Sequence, residues 1–165
     1  MRGRTVKLVK MGAMAAISVA LVYLIHFPIF PAVAFLEYDP ADIPILIGTF
    51  AFGPLAGLAL TVVTSVIQGL TVSSGSGLYG ILMHVIATGV LVIVSGSIYS
   101  RKKTKTMAVV MMGANIVITP LFMGVSAEAV WSLMPFIVGF NLIKAGINGG
   151  VTFILYKRIA NFLRR

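Results

Sequence analysis

Apolar residues dominate five stretches of the chain, at about 8–27, 43–70, 79–99, 107–124 and 135–156, and polar residues gather between them. A helix that crosses a bilayer needs roughly 20 apolar residues, so four of the stretches read as single spans. The second is too long for one helix. Gly53-Pro54 interrupts it, and Gly favours the end of a helix while Pro suits the first turn of the next. The stretch therefore predicts a hairpin, whose first arm, 40–53, is about 21 Å long at ~1.5 Å per residue. A helix of that length beside longer neighbours is expected to be short or buried. Backbone polar groups cannot go unpaired in lipid, so the fold class is all-α, a six-helix transmembrane bundle forming a single integral membrane domain over 1–165. No internal repeat is visible.

Composition removes the soluble alternatives. Of the 165 residues, 59% are hydrophobic and 10% charged, against roughly 45–50% and 25% in a soluble domain. Four acids and thirteen bases cannot cover the surface that a fold of this length leaves in water. A soluble enzyme or a nucleic-acid binder is excluded. The net charge of +9 is instead explained by topology. Lys and Arg mark the cytoplasmic side, which places Arg2, Arg4, Lys7 and Lys10 inside and Glu37, Asp39 and Asp42 outside. Only if 43–70 crosses twice do Arg101, Lys102, Lys103 and Lys105 also fall inside. Glu128 then lies outside, and Lys157, Arg158, Arg164 and Arg165 return to the cytoplasm with both termini. The first span is read as retained rather than cleaved, being longer than a signal-peptide core. With no cysteine, thiolate metal sites, disulfides and cysteine nucleophiles are ruled out.

Several motifs have bland explanations. Gly75-Ser-Gly77-Leu-Tyr-Gly80 matches a dinucleotide pattern that has meaning only after a strand, and here it reads as a connection between spans. No phosphate-binding loop ending in Gly-Lys-Ser/Thr exists, so any ATP-driven activity must come from a partner. Asp39 and Pro40 read as the cap and first turn of the second helix, with Asp42 at the third position, where carboxylates meet free N–H groups. Glu37 is left as the acid more available to a ligand. His26 and His84 lack the spacing of a metal site, although His84, about one turn below the external end of its span, can line a cavity.

One constellation does not fit a bland explanation. Asn141, Lys144 and Asn148 fall at i, i+3 and i+7 on one face of the last span. If that helix enters near Pro135, Lys144 lies about 13 Å deep at ~1.5 Å per residue. A lysine there costs ~2.5–3.5 kcal/mol and is a functional candidate facing a polar cavity. No acid lies within a span to neutralise it, so its acceptors must come from the external loop, water or a ligand, or from Glu37 or Asp39 dipping inward. Its removal should leave folding intact or improved. Asn115, in the fifth span, adds an amide to the same cavity. In the first span Gly12, Ala16 and Ala20 form a small-residue stripe, read equally as internal packing or as a docking face.

Lys7-Leu-Val with Gly12-x-x-x-Ala16, the segment Phe35-Leu-Glu-Tyr-Asp39-Pro-Ala-Asp42-Ile-Pro44, the hairpin Phe52-Gly-Pro-Leu-Ala-Gly57, and Asn141-x-x-Lys144 together resemble the riboflavin-specific substrate-binding (S) components of energy-coupling factor (ECF) transporters. The resemblance implies a prokaryotic, multi-pass cell-membrane subunit that captures riboflavin, or its phosphate FMN, as transported substrate rather than cofactor. It implies no catalysis by this chain, and partners in an energising module of one transmembrane protein and two ATPases. Asn141 and Lys144 match the flavin-binding pair, Asn115 matches an asparagine on the fifth helix, and Leu36 to Tyr38 match a segment that covers the ligand. Gly12-x-x-x-Ala16 falls on an Ala-x-x-x-Ala coupling motif, with glycine in place of the first alanine. An S component for another vitamin, such as biotin, and a small intramembrane enzyme acting on a lipid phosphate stand as the alternatives.

Overall fold

The computed structural model describes residues 2–34, 36–72, 75, 77–97 and 127–164. The fifth predicted span, 107–124, and the basic cluster Arg101 to Lys105 lie outside the described residues. Five α-helices occur among those described: α1 (Arg2–Leu24), α2 (Asp42–Phe52), α3 (Pro54–Leu70), α4 (Gly77–Ser97) and α5 (Ala127–Arg164). Segments Gly3–Leu24 and Trp131–Ile159 are long and apolar enough to cross a membrane, and α2, α3 and Gly77–Ile93 are shorter apolar helices.

α1 starts six residues before the predicted span and ends ahead of Pro28, and Lys7 near its start places its ammonium 3.5 Å from the Phe52 carbonyl. Between α1 and α2 the purely helical expectation fails. Phe27–Pro28 (β1) and Glu37–Tyr38 (β2) pair antiparallel around a 3₁₀ turn at Pro31–Val33. Prolines at 28 and 31 prevent a helix from continuing through this segment. The ribbon is held down by side chains. Val33, Leu36 and Tyr38 cluster with Met134, Ile137 and Phe140 of α5, and Phe30 meets Phe136 edge to face at 5.6 Å.

The second apolar stretch divides where expected. Gly53 takes φ +93°, open only to glycine at low cost, and its N–H donates to Thr49 O at 2.8 Å before Pro54 opens α3. As anticipated from its length, α2 is buried from Asp42 to Thr49. Its Ile43, Ile45, Leu46 and Ile47 form the centre of a core completed by Met14, Leu60, Leu91, Val92, Ala145 and Tyr156. A side chain on Gly57 would collide with Thr49 and Val92, so this glycine sets the close approach of α2, α3 and α4.

Two boundaries differ from the sequence reading. Gly77 to Gly80 lie in the first turn of α4, with Gly77 at φ +51°. α5 runs straight through Pro135, the predicted entry point, and Glu128 occupies its first turn instead of a loop. A proline removes one backbone hydrogen bond from a helix interior, and the flanking residues, including buried Met134 and Ile137, hold the helix together by packing on the ribbon.

Candidate ligand-binding site

The ribbon end of the bundle gathers buried charged and amide side chains. The predicted face of α5 is present, with Asn141, Lys144 and Asn148 all buried, Asn148 completely so. Lys144 Nζ donates to Asp39 Oδ2 at 2.9 Å and lies 3.8 Å from Asp42 Oδ2. This corrects the expectation that no acid within a span could neutralise the lysine. Asp42 is the first residue of α2, and the inward-dipping Asp39 supplies the direct partner. Burial works against the charged form of Asp39, but the Lys144 ammonium beside it holds its carboxyl below the ordinary carboxylate range.

The capping prediction is half correct. Asp39 Oδ1 accepts from Ala41 N–H at 3.0 Å, as a capping aspartate does. Helix α2, however, begins at Asp42 rather than Pro40, and the Asp42 carboxylate turns into the bundle. Its two oxygens accept from Thr88 Oγ1 at 2.6 Å and from Asn148 Nδ2 at 3.1 Å. Asn148 Nδ2 also reaches Asp39 O at 3.2 Å, and Asn148 Oδ1 accepts from Tyr38 OH at 2.9 Å. Charged partners are stronger in this setting because water is scarce to compete with them. The network therefore fastens the ribbon, α2, α4 and α5 at one point.

Of the other predicted site residues, Leu36 and Tyr38 are buried against α5, and Glu37 is exposed on the ribbon. Asn141 donates to Ile137 O one turn back at 2.8 Å. Asn115 lies outside the described residues. His84 does line the polar region: its Nδ1 is 2.7 Å from Ser65 Oγ, and its Nε2 is 3.9 Å from Asp42 Oδ1. Gly12, Ala16 and Ala20 face away from this site, and all three are exposed, while Met14, Ala15, Ser18 and Val22 turn inward. Trp131 is exposed. His26 Nδ1–H donates to Val22 O at 3.0 Å.

Sequence reasoning missed Asp42 as a charge partner and Thr88 and Ser65 as members of the network. It also missed Thr64 and Gln68. A signal for the last group existed: Thr61, Thr64, Ser65 and Gln68 recur at helical spacing along the otherwise apolar α3, and all are buried. No cluster of acids and histidines suited to a metal ion occurs among the described residues. Asp39 and Asp42 are instead engaged by Lys144, Thr88 and Asn148.

Comparison with known proteins identifies the family. Residues 6–156 match the family described as ECF transporter, substrate-specific component. The riboflavin transporter RibU of Staphylococcus aureus (strain TCH60) is 29% identical, with 96% of this chain and 93% of that protein aligned. RibU of Lactococcus lactis subsp. cremoris (strain NZ9000) is 29% identical over 53% of this chain and 43% of that protein. A solved S component of a bacterial ECF transporter aligns over the whole of both chains, with TM-score 0.68 and 28% identity.

Proposed function

The chain belongs to the substrate-specific components of ECF transporters, and from that premise we propose that it is the riboflavin-binding subunit of an ATP-driven importer. The observation that carries this reading is the buried polar site at the ribbon end of an apolar bundle, in a chain aligned nearly end to end with a riboflavin transporter. Asn141, Lys144 and Asn148 on α5, with Asn115 from the fifth span, are the proposed flavin contacts, and Leu36, Glu37 and Tyr38 of the ribbon close over them. A donor-rich wall suits the ring carbonyls of a flavin. Two carboxylates beside Lys144 make the site a poor host for anionic biotin.

In the proposed topology six spans cross a prokaryotic cell membrane, the ribbon faces outside, and both termini lie in the cytoplasm. Cysteines placed at Ser76 and Thr104 then label from opposite sides of intact cells. Labelling of both from outside overturns the arrangement. A separate module of one transmembrane protein and two ATPases supplies the energy, and this chain performs no catalysis. The exposed Gly12, Ala16 and Ala20 offer that module a surface of close approach. Ala16→Trp should bind riboflavin normally in detergent but fail to co-purify with the module and fail to support uptake. Equal loss of binding and uptake counts against the docking role. The decisive test is the absorption spectrum of the purified protein titrated with riboflavin and FMN. Binding of neither sinks the reading.

A further inference from the structure

The face that α3 and α4 turn toward the site is chemically unlike that of α5. Among the described residues, Thr64 Oγ1, Gln68 Oε1, His84 Nε2 and, on α5, Thr152 Oγ1 are buried and have no hydrogen-bond partner. Orphaned buried polar atoms are rare, because each loses its water without recovering a bond. The first three are concentrated on two neighbouring helices, α3 and α4. Thr64 and Gln68 are one turn apart on α3, flanking Ser65, whose hydroxyl touches the His84 ring.

The hydrogen-bond requirements of these atoms can be derived. Ser65 Oγ–H donates to Thr61 O at 2.7 Å, which commits its only hydrogen. The 2.7 Å contact with His84 Nδ1 is then a donation from the ring to Ser65 Oγ. A neutral imidazole with its hydrogen on Nδ1 carries a bare lone pair on Nε2. Gln68 Oε1 is also an acceptor, and Thr64 Oγ1 accepts as well as donates. This wall therefore calls for a ligand rich in O–H or N–H donors. The ring system of riboflavin has a single N–H, whereas its ribityl chain has four hydroxyls. Lys144 and Asn141 on α5 are donors suited to ring carbonyls.

Resting on the riboflavin reading above, we propose that Thr64, Gln68 and His84 are specificity residues that accept hydrogen bonds from the hydroxyls of the ribityl chain. The flavin ring then lies toward α5 and the sugar-alcohol chain toward α3 and α4. The site selects a hydroxylated flavin over the bare ring.

The test compares riboflavin with lumiflavin, which keeps the ring but lacks the ribityl chain, by fluorescence-quenching titration of purified wild-type, Thr64→Val and Gln68→Met proteins. Each substitution should weaken riboflavin binding about 2- to 10-fold, the worth of one neutral hydrogen bond, and leave lumiflavin affinity unchanged. Because Thr64 Oγ1 and Gln68 Oε1 have no partner among the described residues, ligand-free thermal stability should stay level or rise. Unchanged riboflavin affinity in both variants overturns the proposal, as does an equal loss for the two ligands. A failure of both variants to fold assigns the groups a structural role and likewise overturns it. Absence of any flavin binding by the wild type defeats the riboflavin reading itself, an outcome distinct from the others.

Discussion

Between the ribbon and α5, Tyr38, Asp39, Asp42, Lys144 and Asn148 satisfy one another, and each carboxylate oxygen of Asp39 and Asp42 receives a donor. On α3 and α4, in the same end of the bundle, Thr64, Gln68 and His84 each keep a buried atom without a partner among the described residues. Polar residues in apolar surroundings thus have two different meanings here. The first set is largely paired within the protein, with Lys144 keeping further N–H donors for a ligand, and it fixes where the ribbon and α2 meet α5. The second set contributes little to that pairing and is available to something else. The difference lies in which atoms are already paired, not in residue type or burial.

Lys144→Met tests this contrast most severely. It leaves Asp39 and Asp42 buried without their cation, and breaking such a pair typically costs about 3–5 kcal/mol. The ion pair reverses the expectation drawn from sequence that removing the lysine would spare folding. Ligand-free equilibrium unfolding in detergent should show the loss, and Lys144→Met combined with Asp39→Leu should recover part of it, since apolar groups can replace a buried ion pair. Wild-type stability in the single variant defeats the self-satisfied network. Thr88→Val should come next, at roughly 1.5–3 kcal/mol for a hydrogen bond to a carboxylate. Tyr38→Phe should lose about 1 kcal/mol, as a neutral bond to Asn148 disappears while the ring stays against Phe27. Thr64→Val anchors the other end of the comparison, with a stability change within about 0.5 kcal/mol. If it matched Thr88→Val, the two walls would not differ.

The elements that follow from local chemistry were legible. Gly53-Pro54 divides α2 from α3 because both residues act through their own backbone. The polar face of α5 follows from spacing alone. The start of α2 was misjudged because Asp39, Pro40 and Asp42 form a good capping sequence, yet Asn148 and Thr88, distant in sequence, draw Asp42 inward. Pro135 reads as a boundary by propensity, and packing of Met134, Ile137 and Phe140 on the ribbon overrides it. Asp39 stands among the acids that the sequence allows to dip inward toward Lys144. Three of the four acids lie between Glu37 and Asp42, and a buried cation requires a counter-charge. Which acid turns inward depends on the ribbon, and two-residue strands leave almost no periodic trace.

The enclosure of α2 has a consequence for how the protein meets its lipid surroundings. A helix of 11 residues reaches about 16 Å, roughly half the hydrocarbon thickness of a bilayer. Exposed to acyl chains, it would force the membrane to thin locally or its flanks to snorkel. With its first eight residues shielded by neighbouring helices, that mismatch does not arise. Adjustment to thicker or thinner membranes then falls to the longer apolar helices α1 and α5.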